Sequence, residues 1–215
     1  MVETERYRKD FNFKQKEKFK FIMLGEGNPI ESENKPVERY FFSGGKSNRE
    51  FLSLIEAFGQ IDEKLIICTD QQSIQNKGNL SLIEIYFNKP REDFYRYIEN
   101  SFAVIITVED PEISSGQLVL LHALRYGKPV IVTEGPCMQD YILDNYAYFI
   151  KHRDVHSLKN IIKELAINQR QYSEMSKKAR ESYLKYFSID KYLERIAKEA
   201  VSIELQTTLI NSARL

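Results

Sequence analysis

Apolar residues fall along the chain in short runs that alternate with stretches of helical spacing. Tyr40-Phe-Phe-Ser ends at Gly44-Gly45, which predicts a strand followed by a tight turn. Phe51, Leu54, Ile55 and Phe58 recur at three- and four-residue intervals, predicting a helix within 47–59. Leu65-Ile-Ile-Cys-Thr is continuously apolar, as a buried parallel strand is. Further strands are predicted over 80–87, 103–108, 129–133 and 147–150. Helices are predicted over 90–100, from Gln117 to Tyr126 with Gly127 as its C-terminal stop, and over 137–144. Three more, over 155–168, 171–186 and 190–205, close the chain. The run Phe19-Lys-Phe-Ile-Met-Leu predicts a short strand over 19–24, followed by a linker. Alternation of strand and helix from 40 to 165 predicts an α/β fold, a Rossmann-like doubly wound parallel sheet with C-terminal helices. The implied organisation is a connector over 1–38, a ligand-binding domain over 39–205 and a tail over 206–215.

Composition narrows the function classes. Lys+Arg and Asp+Glu are 31 each, a balance that argues against a nucleic-acid binder. No run of eighteen apolar residues is present, so no transmembrane segment is expected. The charged N-terminus lacks a signal-peptide core, so the expected location is the cytoplasm, at most peripheral to a membrane. Cys68 and Cys137 read as reduced structural thiols. His122, His152 and His156 have no metal-ligand spacing, and no metal or other cofactor is expected.

In doubly wound sheets ligands bind beyond the carboxyl ends of the strands. Two loops there carry suitable chemistry. Ser43-Gly-Gly-Lys-Ser-Asn-Arg follows the first strand. Gly44 and Gly45 let backbone approach a ligand, Lys46 and Arg49 add two charges, and the next helix start should offer free N–H groups to an anionic diphosphate. A Gly-x4-Gly-Lys-[Ser/Thr] phosphate loop is absent. The plainer alternative is a tight turn with two solvated cations. The second loop, Ser114-Ser115-Gly116-Gln117-Leu118, opens an almost wholly apolar helix. Ser114 or Ser115 is expected to cap it, and the amides of Gly116, Gln117 and Leu118 to face a ligand. His122 is one of that helix's few polar residues. It reads either as a satisfied core histidine or as a ligand contact.

Leu120 to Thr133, with its Ala-x3-Gly-Lys-Pro-Val-Ile form, resembles the C-terminal domain of retaining glycosyltransferases of the GT-B fold, of the family 4 or group 1 type. The resemblance spans roughly residues 20–200 and implies one half of a GT-B fold that grips the diphosphate of a nucleotide sugar. It implies that Gly44, Gly45, Lys46 and Arg49 bind the diphosphate, with Lys46 and Arg49 stabilising charge on the leaving group. The family also carries a Glu-x7-Glu motif whose first Glu contacts the donor sugar and whose second contacts the ribose. Ser114 and His122 stand at those places, so both carboxylates are replaced. Glu109, Asp110 and Glu112 lie nearby as candidate substitutes. Base recognition is expected from loops near 69–74 and 86–90. The implied partners are a nucleotide sugar and either an N-terminal acceptor domain or a second copy of the chain. Alone, the chain is expected to turn over poorly. The alternatives are a degenerate binding or scaffolding module and a sugar-nucleotide epimerase. A phosphoacceptor receiver is disfavoured, because the first and third strands end in Ser43-Gly44 and Phe87-Asn88 rather than in aspartates.

Overall fold

Every strand of the sheet interior is apolar on both faces, and both faces are covered. A computed structural model describes residues 20–30, 38–70, 74 and 81–212, with side chains through 203. Six strands pair in parallel: β1 Phe41–Gly44, β2 Leu65–Thr69, β3 Ile83–Phe87, β4 Ala103–Ile106, β5 Val130–Thr133 and β6 Ala147–Ile150. Their spatial order is β3-β2-β1-β4-β5-β6. This is the doubly wound order, with its reversal between β1 and β4.

Alternate residues divide the core in two. Phe42, Ile66, Val104, Ile106 and Val132 face one layer of helices. That layer comprises α2 (Arg91–Asn100), α3 (Gln117–Arg125) and the chain around Ala179, Tyr183 and Phe187. Phe41, Leu65, Ile67, Ala103, Ile105 and Ile131 face the other. There α1 (Leu52–Phe58) and α5 (Val155–Ile167) contribute Leu54, Phe58, Leu158, Ile162 and Leu165. The short α4 spans Pro136–Gln139. Helix α6 (Gln169–Ser182) joins the two layers, placing Met175 in one core and Ala179 in the other. A π-helical turn, Tyr183–Phe187, leads into α7, Ile189–Ser212. Leu193, Ile196, Val201 and Ile203 of α7 are exposed, whereas Tyr183 and Phe187 are fully buried. No helix among the described residues is long and apolar enough to cross a membrane.

Residues 20–24 are not a strand. Residues 20–30 form an irregular strap laid over the helices instead, because helix side chains claim its backbone. Arg195 Nη2 donates to Met23 O at 2.9 Å, the Tyr141 hydroxyl accepts from Leu24 N at 3.1 Å, and the Tyr183 hydroxyl donates to Gly27 O at 2.7 Å. Arg125 Nε donates to Asn28 O at 2.9 Å. A single strand of four or five residues has little stability without a free sheet edge to join. The rest of the expected N-terminal connector, residues 1–19 and 31–37, lies outside the described residues, as do 71–73 of the expected base-binding loop near 69–74.

Candidate anion site at the strand-order reversal

The two loops singled out in the sequence leave β1 and β4, the strands on either side of the reversal, and they are laced together. Asn48, at φ 53°, has its amide Nδ2 donating to Asp110 O at 2.9 Å while its Oδ1 accepts from Asp110 N at 2.8 Å. Glu50 N donates to Thr107 O at 3.2 Å, and the Thr107 hydroxyl donates back to Glu50 O. Ser43 ties the strands below by donating to Ile105 O at 2.7 Å.

Arg49 is the strut of this assembly. It is only 7% exposed. Its Nε donates to Gly44 O at 2.9 Å, and its Nη1 donates to Ser47 O at 3.1 Å and to the Ser115 hydroxyl at 2.7 Å. All three partners are neutral, and among the described residues no carboxylate pairs with it. Burial alone pulls its pKa down to about 10, so it still carries its charge at neutral pH. A buried cation without a counter-ion is costly to maintain, and an anion supplied from outside would offset that cost.

The glycines are where the backbone must come close. Gly45, at φ +131°, would put a Cβ 2.6 Å from Arg49 Nε. A Cβ on Gly44 would meet Cys68 O at 2.8 Å and Phe94 Cε2 at 2.6 Å. Gly116 begins α3 in a left-handed conformation, φ +97°, beside Ile106. Lys46 reaches outward, 78% exposed at the side chain, with Asp70 Oδ2 3.7 Å from its ammonium.

The two helix starts behave differently from expectation. Helix α1 begins only at Leu52, and its amides are already taken. Glu50 Oε1 accepts from Leu52 N at 2.9 Å and from Ser53 N at 3.0 Å. Two of the first-turn amides are therefore spent on the buried Glu50 carboxylate rather than left for a ligand. By contrast, α3 has no side-chain cap. Ser115 is turned toward Arg49, and the Ser114 hydroxyl accepts from Gln117 Nε2 at 2.8 Å, so neither serine closes the helix. The first-turn amides of Gln117, Leu118 and Val119 have no protein acceptor among the described residues, and Leu118 is 51% exposed beside them. Arg49 stands beside this helix start, its Nη1 on the Ser115 hydroxyl, so a buried cation and free amides adjoin there, a pairing that favours an anion.

His122 lies farther along α3 and is 3% exposed. Its Nε2 stands 3.2 Å from Glu26 Oε1 of the strap, and the Tyr95 ring packs on the imidazole at a tilt of 35°, with centroids 3.7 Å apart. Arg91 Nη2 pairs with the same Glu26 oxygen at 2.8 Å, and its Nε donates to the Tyr95 hydroxyl at 2.7 Å. Burial depresses the His122 pKa, and the Glu26 carboxylate opposes the shift. The histidine is therefore neutral in the folded chain at pH 7. An imidazole whose folded pKa is depressed contributes least penalty above the unfolded value near 6.5 and destabilises progressively as pH falls below it. Unfolding temperature is expected to drop between pH 7.5 and pH 5.5, and to drop less in His122→Gln. Equal pH dependence in the two proteins would contradict this.

Two of the nearby acidic side chains, Glu109 and Asp110, are engaged within the protein. Glu109 pairs with Arg153 at 2.6 Å, and Asp110 Oδ1 accepts from Glu112 N at 2.9 Å within its own loop. The carboxylate at His122 is Glu26. Sequence reading missed it, along with Asn48, Glu50, Arg91 and Tyr95. Asn48 had a usable signal, since asparagine tolerates positive φ in turns. Glu26 had none, being ninety-six positions upstream of its partner.

The family model for glycosyl transferases group 1 matches residues 47–182. No curated protein matches the sequence. Among solved structures, TarM is 19% identical with a TM-score of 0.57, over 79% of this chain and 37% of that one. Anabaena Alr3699/HepE in complex with UDP-glucose is 16% identical with a TM-score of 0.64, over 76% of this chain and 49% of that one. Sucrose-phosphate synthase (tll1590) from Thermosynechococcus elongatus is 15% identical with a TM-score of 0.69, over 86% of this chain and 52% of that one. The chain thus spans about half, or less, of the length of the structures it matches.

Proposed function

Since the chain belongs to the glycosyl transferases group 1, we propose that it is a donor-binding domain that holds the diphosphate of a nucleotide sugar between Lys46, Arg49 and the start of α3. The observation that carries this reading is Arg49, a buried guanidinium with only neutral partners, set at a left-handed glycine and beside an uncapped helix start. A planar fork of N–H donors suits a phosphate group in particular. That Alr3699/HepE was solved with UDP-glucose supports a nucleotide sugar as the ligand class.

In transfer, the bond between the anomeric carbon and the diphosphate oxygen breaks, and its electron pair stays on the diphosphate. The acceptor hydroxyl oxygen bonds to the anomeric carbon and loses its proton. Arg49, Lys46 and the amides of α3 meet the growing charge on the leaving group. Loss of one preorganised donor of this kind costs on the order of 2.7–4 kcal/mol of barrier. Positioning of the acceptor is a separate requirement, contributing roughly 7–11 kcal/mol in well-oriented systems.

A second reading, a binding module without catalysis, draws on one observation. Ser114 and His122 hold the places where the resembled family has carboxylates. Both readings require the same ligand. Calorimetric titration with UDP, GDP and ADP is expected to give binding of one diphosphate, with the matching nucleoside bound far more weakly. Lys46→Ala/Arg49→Ala should lose that binding. Absence of binding to all three would overturn the donor-site reading. Binding with no sugar release or transfer, even with acceptor present in excess, would favour the second reading.

A further inference from the structure

Both sequence neighbours of Arg49 are bonded to the loop after β4. Asn48 uses its side chain as a second backbone: Nδ2 donates to Asp110 O at 2.9 Å and Oδ1 accepts from Asp110 N at 2.8 Å. Its own carbonyl accepts from Glu109 N at 3.4 Å, and on the other side of Arg49 the Glu50 amide donates to Thr107 O at 3.2 Å. Residues 48–50 are thus fastened along 107–110. Arg49, between them, reaches the same loop farther on, through Nη1 to the Ser115 hydroxyl at 2.7 Å. Its other partners are the carbonyls of Gly44 and Ser47, so no ion pair among these contacts fixes the guanidinium. Its place depends on how the two loops sit against each other.

We propose that Asn48 is a positioning residue for anion binding: its paired bonds to Asp110 fix the loop after β1 against the loop after β4 and so hold the Arg49 guanidinium in place before a ligand arrives. This rests on the donor-site reading above. An asparagine in a turn ordinarily bonds backbone about two residues on in its own loop. Asn48 instead commits both amide groups to a residue 62 positions away, so these bonds serve the joint between the loops and not the turn itself. Its backbone, at φ 53°, is left-handed, a conformation asparagine adopts more readily than most residues. The benefit falls on Arg49. A long side chain that must be ordered when the ligand binds loses rotamer freedom at that moment, and one already held by its surroundings does not.

Asn48→Gly removes the clamp while glycine keeps the left-handed backbone without strain. The test has two readouts on the full chain. The first is a double-mutant cycle with Arg49→Met, followed by calorimetric titration with UDP, GDP and ADP. Asn48→Gly should weaken the diphosphate that binds by roughly three- to tenfold, the cost of ordering one long side chain on binding. In the Arg49→Met background the same substitution should change affinity by less than about twofold, because the group it positions is gone. The second readout needs no ligand: exchange of the Arg49 Nε–H with water, followed by NMR, should be faster in Asn48→Gly than in the unmodified protein. An equal loss of affinity in both backgrounds would reduce Asn48 to a structural role and overturn the proposal with the donor site left standing. So would undiminished affinity in Asn48→Gly, or unchanged exchange at Arg49. Binding of none of the three diphosphates to the unmodified protein would overturn the donor-site reading and this proposal with it.

Discussion

Arg49→Met should lose affinity for the bound diphosphate by about two orders of magnitude or more while remaining folded. A hydrogen bond to a charged group contributes about 1.5–3 kcal/mol, and each 1.4 kcal/mol is a factor of ten in affinity. A guanidinium meeting a phosphate group can make two such bonds. Stability should change much less, because two effects oppose one another. The substitution strips a donor from the Gly44 and Ser47 carbonyls and the Ser115 hydroxyl, yet it also removes an unpaired buried charge. Arg49→Lys should rescue little. A single ammonium cannot span Gly44 O, Ser47 O and Ser115 Oγ while presenting donors to a ligand. Calorimetry and thermal unfolding on the two variants decide it. Undiminished binding by Arg49→Met would remove the central element of the proposed site.

The largest loss of stability is expected at Gly116→Ala. With φ at +97° an alanine sits in a strained backbone region. Its Cβ would lie 2.6 Å from Ile106 Cγ2 and 3.1 Å from Met138 Cε. The flexible methionine can yield, but Ile106 is fully packed at the end of β4 and cannot. Strain and overpacking together come to about 2–5 kcal/mol, a fall of roughly 5–20 °C in Tm for a chain of this size. Ser114→Ala is the companion control. Its hydroxyl serves only Gln117 Nε2, so its cost should be about 1 kcal/mol or less. Gly116→Ala should also weaken diphosphate binding, because the amides of α3 shift with the helix start. An unchanged Tm would mean that the left-handed start is not demanded by its surroundings.

Much of the architecture was legible in one dimension. Runs such as Leu65-Ile-Ile-Cys-Thr and Pro129-Val-Ile-Val-Thr announce strands buried on both faces, and the structure buries them so. The alternation of strand and helix led to the parallel sheet, and the glycines at 44, 45 and 116 marked the loops at the reversal. These signals are local: they depend on side-chain period and backbone freedom within a few residues. The apolar run at 20–24 misled for the same reason. Its composition permits a strand, but whether a strand forms depends on a free sheet edge, and here helix side chains hold its backbone instead.

The sequence by itself determined the alternation of strand and helix, the cover on both faces of the sheet and the glycine loops at the strand ends, because hydrophobic period and glycine placement are properties of the chain. Only the tertiary structure decided what those loops present. It turned Ser115 to Arg49 rather than to the helix end, and it spent the first amides of α1 on Glu50. It left Arg49 without a counter-ion and brought Glu26 to His122 across ninety-six positions. Such choices depend on which polar groups burial leaves unsatisfied, and that is settled only when distant segments share one desolvated space.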